Sequence, residues 1–434
     1  MATSSALYTD HYELTMVGAA LKAGIADQPS VFETFARRLP EGRRYGVFAG
    51  LGRLLDALAS FRFGPEELAY LQHRGFLDDT ALTWLSDYTF SGSITAYAEG
   101  ELYFPGSPVL RVEGPFAGSV LLETLVLSHL NYDSAIASAA ARMVGAAQGR
   151  ALLEFGSRRA HEEAAVAAAR AAYLAGFAAT SNLEAGRRYG IPTSGTSAHA
   201  FTLAFADEPG AFAVQVDALG ASTTLLVDTY DIEQGIRHAV EAAGPGLGGI
   251  RIDSSDLVAE AHRARVLLDS LGATGTRIVL SGDLDEYAIA ELAQTPADAL
   301  GVGTRLVSGS GAPTGEFVYK LVATAPGPDP TRLIDVAKGG GVKSTVGGTK
   351  RAWRVLDAEG RAVEEVVAPA DAIPPPAARG LQRSVVADGT VLARPSLDEA
   401  RDTHAAAKAE LPPEARALDP GPPAVPTRRI LEAP

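Results

Sequence analysis

The sequence predicts an α/β protein: an irregular parallel βα barrel at its centre, plus an α+β domain built from the N- and C-terminal segments. Three observations carry this reading. Between residues 148 and 305, short β-rich runs alternate with amphipathic helical stretches, the pattern of βα units around a parallel sheet. Polar residues that packing does not explain fall just after those strands, as they do on the catalytic face of a barrel. An open doubly wound sheet would also gather them at one edge, but no strand-to-helix turn carries a G-x-G-x-x-G dinucleotide fingerprint, which favours the barrel.

Taken in order, residues 1–147 form the N-terminal α+β domain. "SGSITAYAEGELYFPGSPVLRVEGPF" reads as antiparallel strands with turns, and "SVLLETLVLSHLNYDSAIASAAARMVGAA" as a long helix or helix pair. Residues 148–330 form the barrel. Its strands are expected near "ALLEFGS", "GFAAT", "IPTSGTS", "TTLLVDT", "GGIRID", "TRIVLSG" and "ADALGVG". Its helices are expected at "HEEAAVAAARAAYLAG", "NLEAGRRYG", "DIEQGIRHAVEAAG", "DLVAEAHRARVLLDSLG" and "LDEYAIAELAQ", several of which open with an Asp or Asn N-cap. Residues 331–434 are Gly- and Pro-rich around a β-like "RAWRVLD", and are expected to pack back on the N-terminal domain.

Bulk properties narrow the function. The chain has 434 residues, 47% of them hydrophobic and 21% charged, which suits a folded protein with a large core. Its formal charge of -14, from 38 basic and 52 acidic residues, argues against nucleic acid as a partner while leaving room for a small phosphorylated substrate. Cysteine is absent, which excludes disulfides, thiolate catalysis and Cys-ligated metals. The opening "MATSSALYTDHYELTM" lacks a basic region followed by an apolar core, so no secretion signal is expected. Glu123 and Arg170 interrupt the longest apolar stretches, so no membrane span is expected either, and the cytoplasm is the expected location.

The unexplained strand-end residues are Arg158, Thr180, Thr196, His199, Asp228, Asp253, Asp283 and the glycines of "GVGT". Two Gly-rich turns, "SGDLDE" and "GVGTRLVSGSG", allow backbone N–H groups to approach a phosphate, and Thr304 adds a hydroxyl; tight βα turns require glycine in any case. Carboxylates follow three strands in pairs: Asp228 and Asp231, Asp253 and Asp256, Asp283 and Asp285. Such groups bind ribose hydroxyls or Mg2+ beside a pyrophosphate, or they cap helices, the role expected of Asp231, Asp256 and Asp285. Arg158 and Arg159 can clamp a phosphate or carboxylate, or can pair with Glu162 and Glu163. His199, in "GTSAHAF", has no second ligand at zinc spacing; it is either a satisfied structural histidine or a nucleophile toward phosphorus.

In chain order, "YTDHYELTM", "VFETFARRLPEGRRYGVFAGL", "FGSRRA", "GTSAHAF", "VDTYD", "RIDSSDL", "LSGDLDEYAI" and "GVGTRLVSG" resemble the nicotinate phosphoribosyltransferases, over residues 8 to about 350. The resemblance implies the type II phosphoribosyltransferase kind of barrel. It implies transfer of phosphoribosyl from phosphoribosyl pyrophosphate to nicotinate, coupled to ATP hydrolysis through a phosphohistidine at His199, with Mg2+ as cofactor and a homodimer whose active site lies at the interface. By the same resemblance, Tyr12 and Phe155 sandwich the pyridine ring, and Thr196 and Arg251 hold nicotinate. Asp10, Arg158, Asp228, Gly282, Asp283, Gly301, Gly303 and Thr304 hold the ribosyl donor, with Asp253 at the reacting centre. The chain departs from the family pattern at His11, at Ser255 and in "AKGGGVKSTVGGTK", the run holding Lys338, Lys343 and Lys350. Two other readings compete. One is a nicotinamide phosphoribosyltransferase, whose acidic residue after the second barrel strand is replaced here by Ala178-Ala179. The other is a catalytically silent nucleotide-binding paralogue, against which the retention of His199, Arg251, Asp253 and Thr304 weighs.

Overall fold

The computed structural model describes residues 4–254, 256–325, 329–339, 345–392 and 394–430. Ser255 and Lys343 lie outside the described residues. The chain divides into two compact units, residues 136–311 and residues 1–135 with 312–434.

The central unit is the barrel. Its sheet has 6 strands, in the order Ala179–Thr180, Ala151–Glu154, Ala299–Val302, Arg277–Gly282, Gly249–Ile252 and Thr224–Leu226. Every pairing is parallel. The last strand in sequence, Ala299–Val302, pairs with the first, Ala151–Glu154, and so curls the sheet back on itself. Apolar strand residues such as Leu152, Ile250, Ile252, Ile278, Leu280 and Leu300 are fully buried, as a sheet covered on both faces requires. The expected strand "IPTSGTS" is reduced to one parallel bridge, Thr180 to Thr193. The run after it holds Ser194, Gly195, Thr196 and Ser197, which offer little side-chain surface to pack, and it stays open up to the short helix His199–Leu203. The barrel is therefore irregular, unpaired between this run and Thr224–Leu226.

Helices expected between the strands are present at Glu162–Ala175, Leu183–Tyr189, Ile232–Ala243, Leu257–Ser270 and Glu286–Glu291. Helix Glu208–Leu219 is an addition; Asp207 accepts from Gly210 N, and a proline occupies the first turn.

The other unit contains a seven-stranded antiparallel sheet in the order Ile334–Asp335, Phe317–Thr324, Pro29–Ala36, Leu110–Pro115, Ser93–Tyr97, Gln382–Ala387 and Thr390–Val391. Both chain ends contribute strands, because Gln382–Ala387 pairs with Ser93–Tyr97. The boundaries differ from 147/148 and 330/331. Phe317–Thr324 pairs along its length with Pro29–Ala36, so it belongs to this sheet and not to the barrel. The helix Glu123–Ala146 runs through the division at 135/136. A four-stranded sheet, Ala378–Gly380, Lys350–Leu356, Ala362–Pro369 and Thr427–Arg429, is held by the buried ion pair of Arg354 with Glu365 (2.6 Å) and the half-buried one of Arg379 with Glu101 (2.7 Å). No helix among the described residues is long and apolar enough to cross a membrane.

Candidate active site

The C-terminal ends of the barrel strands open into a cavity of about 450 Å³. Phe155, Arg158, Arg159, Arg251, Asp253, Ser281, Gly282, Asp283, Gly301, Gly303 and Thr304 line it. A parallel sheet brings these residues together although they are far apart in sequence, since each follows the end of its own strand.

Arg251 is the centre of the arrangement. Its Nε donates to Ser281 Oγ (2.9 Å), Nη1 to Thr196 Oγ1 (3.1 Å) and Nη2 to Asp253 Oδ2 (2.9 Å). Its Cζ lies 5.6 Å from the centroid of the Phe155 ring. A guanidinium has five N–H groups, so these bonds fix its plane and, among the described residues, leave one N–H free on each Nη. A planar carboxylate is the ligand that two parallel N–H groups match.

Phe155 is seated by the neighbouring strand. A Cβ on Gly301 would come within 2.5 Å of the Phe155 ring, so glycine is needed there to let the aromatic lie flat on the sheet end. The turn behind Phe155 rests on Glu154, a buried carboxylate that accepts from Gly156 N and from Thr180 Oγ1. Burial pushes the Glu154 carboxyl above its ordinary range, against the lowering effect of those two bonds. Thr180, read from sequence as a strand-end candidate, therefore supports the turn from beneath. Asn182 Nδ2 completes the support through Ser157 Oγ (3.0 Å).

His199 opens its short helix, with its side chain 43% exposed. Its Nδ1 is 3.2 Å from Thr229 Oγ1, and its Nε2 is 3.9 Å from Asp228 Oδ1. The Asp228 side chain is buried, and its Oδ2 accepts from the Asp253 backbone N (2.6 Å) while Oδ1 has no hydrogen-bond partner among the described residues. His199, Asp228, Asp253 and Arg251 thus form one chain of neighbours, which joins the histidine to the lined cavity.

The paired carboxylates separate as expected. Asp231 caps its helix through Gln234 N, Asp256 through Ala259 N, and Asp285 through Tyr287 N and Ala288 N. Their partners Asp228, Asp253 and Asp283 face the site. Glu163 pairs with Arg188 (2.8 Å), and Arg159 lines the cavity beside Arg158. Arg159, read from sequence as either a phosphate clamp or an ion-pair partner, lines the cavity, whereas Ser281, Thr229 and Arg305, which pairs with Asp283 at 3.4 Å, are site residues that sequence reasoning did not name. Arg159 was signalled by its adjacency to Arg158. The other three become visible only when neighbouring strand ends are superposed.

Asp10 and Tyr12 belong to the other unit and do not line this cavity. Asp10 precedes helix His11–Ala23 and makes no side-chain capping bond. Tyr12 is 44% exposed on the first turn of that helix. Partial burial and the carboxylates of Glu123, Glu13 and Asp10 hold its phenol above the ordinary range.

Comparison with known proteins gives the family. Residues 7–131 match the model of the nicotinate phosphoribosyltransferase N-terminal domain. The chain is 55% identical to a nicotinate phosphoribosyltransferase of Mycobacterium tuberculosis, over 98% of this chain and 95% of that protein. The chain belongs to the nicotinate phosphoribosyltransferase family. It is also 39% identical to the Bacillus subtilis nicotinate phosphoribosyltransferase, over 82% of this chain and 74% of that protein. The crystal structure of human nicotinic acid phosphoribosyltransferase superposes with a TM-score of 0.82 at 27% identity, covering 98% of this chain and 97% of that one. As a member of this family, the chain has the mixed α/β architecture and the irregular parallel barrel of its relatives.

Proposed function

We propose that this chain joins nicotinate to 5-phosphoribosyl 1-pyrophosphate, giving nicotinate mononucleotide and pyrophosphate in NAD salvage, and that it works in the cytoplasm. The observation that carries the reading is the Arg251 fork: a guanidinium fixed by Ser281, Thr196 and Asp253, over Phe155, with one N–H free on each Nη. Such a fork pairs with the carboxylate of a flat pyridine lying on the phenylalanine. An amide offers one acceptor only and turns its own N–H groups toward the cation, which leaves a donor unpaired. The Ala178-Ala179 stretch has no carboxylate to favour the amide.

The reaction follows from positions. Phe155 and Arg251 present the ring nitrogen to the anomeric carbon; the N–C bond forms as the C–O bond to pyrophosphate breaks, through a cation-like ribosyl centre. Arg158, Arg159, Gly303 and Thr304 stand where the donor's phosphates need N–H and O–H groups, and Asp253 lies where positive charge develops. Among the described residues no group of three His, Cys, Asp or Glu is placed to hold a metal by protein ligands alone. Asp253 and Asp283 on the cavity wall fit Mg2+, which binds through one or two carboxylates together with substrate phosphates and water. These two residues would hold it, and it would neutralise charge on the leaving pyrophosphate.

ATP is the further substrate. With Nε2–H turned to the Asp228 carboxylate, 3.9 Å away, and Nδ1 released from the Thr229 hydroxyl, His199 offers its Nδ1 lone pair to phosphorus. The Nδ1–P bond forms as the bond from the γ-phosphorus to ADP breaks, and Asp228 stabilises the imidazolium. Tyr12 supplies the second face of the pyridine sandwich from a second copy of the chain in a homodimer. The test is incubation with labelled nicotinate, phosphoribosyl pyrophosphate, ATP and Mg2+. Labelled nicotinate mononucleotide and stoichiometric pyrophosphate are expected; preference for labelled nicotinamide, or no transfer to either, contradicts the reading.

A further inference from the structure

One cavity outside the barrel carries chemistry that the reaction does not use. In the unit built from the chain's two ends, a cavity of about 210 Å³ is lined by Arg111, Arg351 and Arg383, with Thr95, Ser384 and Trp353 among them. Strand register builds part of it. Thr95 pairs with Arg111 on one side and with Ser384 on the other, so these side chains emerge in a row from one face of the seven-stranded sheet. Arg351 and Trp353, two residues apart on Lys350–Leu356, reach the cavity from the four-stranded sheet.

Arg111 is buried, at 7% exposure. Its Nε pairs with Glu113 and its Nη1 donates to Lys350 O (3.1 Å), while Nη2 makes no hydrogen bond among the described residues. Arg351 and Arg383 are exposed and form no ion pair or side-chain hydrogen bond among the described residues, although Arg383 acts at longer range on Glu399. The hydroxyls of Thr95 and Ser384 are likewise unengaged among the described residues, and no acidic side chain lines the cavity. In a chain of net charge -14, a concave spot lined by three arginines and two hydroxyls, with no acidic side chain on its wall, suits an anion by its chemistry.

We propose that this cavity is a second anion site that takes a phosphate group, with Arg111 and Arg351 closing on its oxygens and Arg383 at its rim. It shares no residue with the barrel cavity. The ligand is free inorganic phosphate or the phosphate end of a nucleotide, and the experiment separates them. Inorganic phosphate is titrated calorimetrically into the full chain, into Arg158→Ala, and into Arg351→Ala/Arg383→Ala, whose exposed substitutions leave the fold intact by circular dichroism. Two binding events are expected in the wild type. Arg158→Ala weakens one of them; the double variant weakens the other by about tenfold per arginine removed and leaves the KM for phosphoribosyl pyrophosphate unchanged. Arg351→Gln alone gives an intermediate loss. ADP that displaces phosphate from Arg158→Ala and binds more tightly marks the nucleotide as the ligand; ADP that does not displace it marks free phosphate. A single event that disappears in Arg158→Ala and survives in the double variant overturns the proposal, as does absence of binding to Arg158→Ala at millimolar phosphate.

Discussion

Asp253 Oδ2 accepts from Arg251 Nη2 at 2.9 Å, two residues away on the same chain, and so turns the guanidinium edge toward the cavity above Phe155. The carboxylate holds the fork without using it up, because one N–H remains on each Nη. Replacing Arg251 by Lys keeps the charge and loses the fork. The kcat/KM for nicotinate is expected to fall about a hundredfold, with a much smaller change in the KM for phosphoribosyl pyrophosphate. Steady-state kinetics with each substrate varied in turn checks this; equal losses for both would show that Arg251 serves the donor as well.

Gly301 acts through Phe155. A methyl group added at position 301 would meet the ring at 2.5 Å, and the ring must tilt or the strand must shift. Gly301→Ala is therefore expected to lower kcat/KM by about a hundredfold, the cost of misplacing a reacting group by about an ångström. In Gly301→Ala/Phe155→Ala the unfolding temperature should recover toward the wild type while activity stays low. An unchanged Gly301→Ala enzyme would show that the ring is not the seat of the pyridine.

A site completed by Tyr12 from a second copy has a kinetic signature. Tyr12→Ala and His199→Ala homodimers each lack ATP-coupled transfer in this account. After unfolding and refolding an equimolar mixture, about a quarter of wild-type activity should return, because half of the dimers are mixed and each has one intact site. No recovery, with mixed dimers confirmed by mass spectrometry, would place Tyr12 and His199 in the same copy's site.

His404 gives the fold a pH dependence away from the chemistry. It is buried with Nε2 unpartnered among the described residues; burial first, then Lys408, pushes its imidazole down to about 4, while Glu101 acts in the opposite sense. Its folded value lies below the unfolded one, so the unfolded state binds the extra proton between them. Stability is whole above about pH 6.5 and falls as the pH drops toward 4, with a slope of about 1.4 kcal/mol per pH unit from this residue. His404→Gln should flatten the difference in urea-unfolding free energy over that window. A parallel pH profile would assign the effect to other groups.

Much of this was legible in the sequence, and the exceptions have physical causes. The barrel strands announced themselves as apolar runs ending in polar residues, and Asp231, Asp256 and Asp285 were readable as caps from their place before helical stretches. "IPTSGTS" has the position of a strand but too little side-chain surface to hold one, so only Thr193 pairs. Helix Leu397–Ala409 lay behind an S-x-x-E capping box, Ser396 to Glu399, inside a stretch whose prolines dominated its texture. The Arg251 fork was beyond reach as geometry, since Thr196, Ser281 and Asp253 converge only when the strands lie side by side.

The most direct test of the central claim is a crystal structure with nicotinate mononucleotide bound. The account predicts the pyridine flat against Phe155, its carboxylate bidentate on the two free N–H groups of Arg251, and its phosphate beside Gly303 and Thr304. A mononucleotide whose carboxylate points away from Arg251, or whose phosphate lies outside the 301–304 turn, would contradict it.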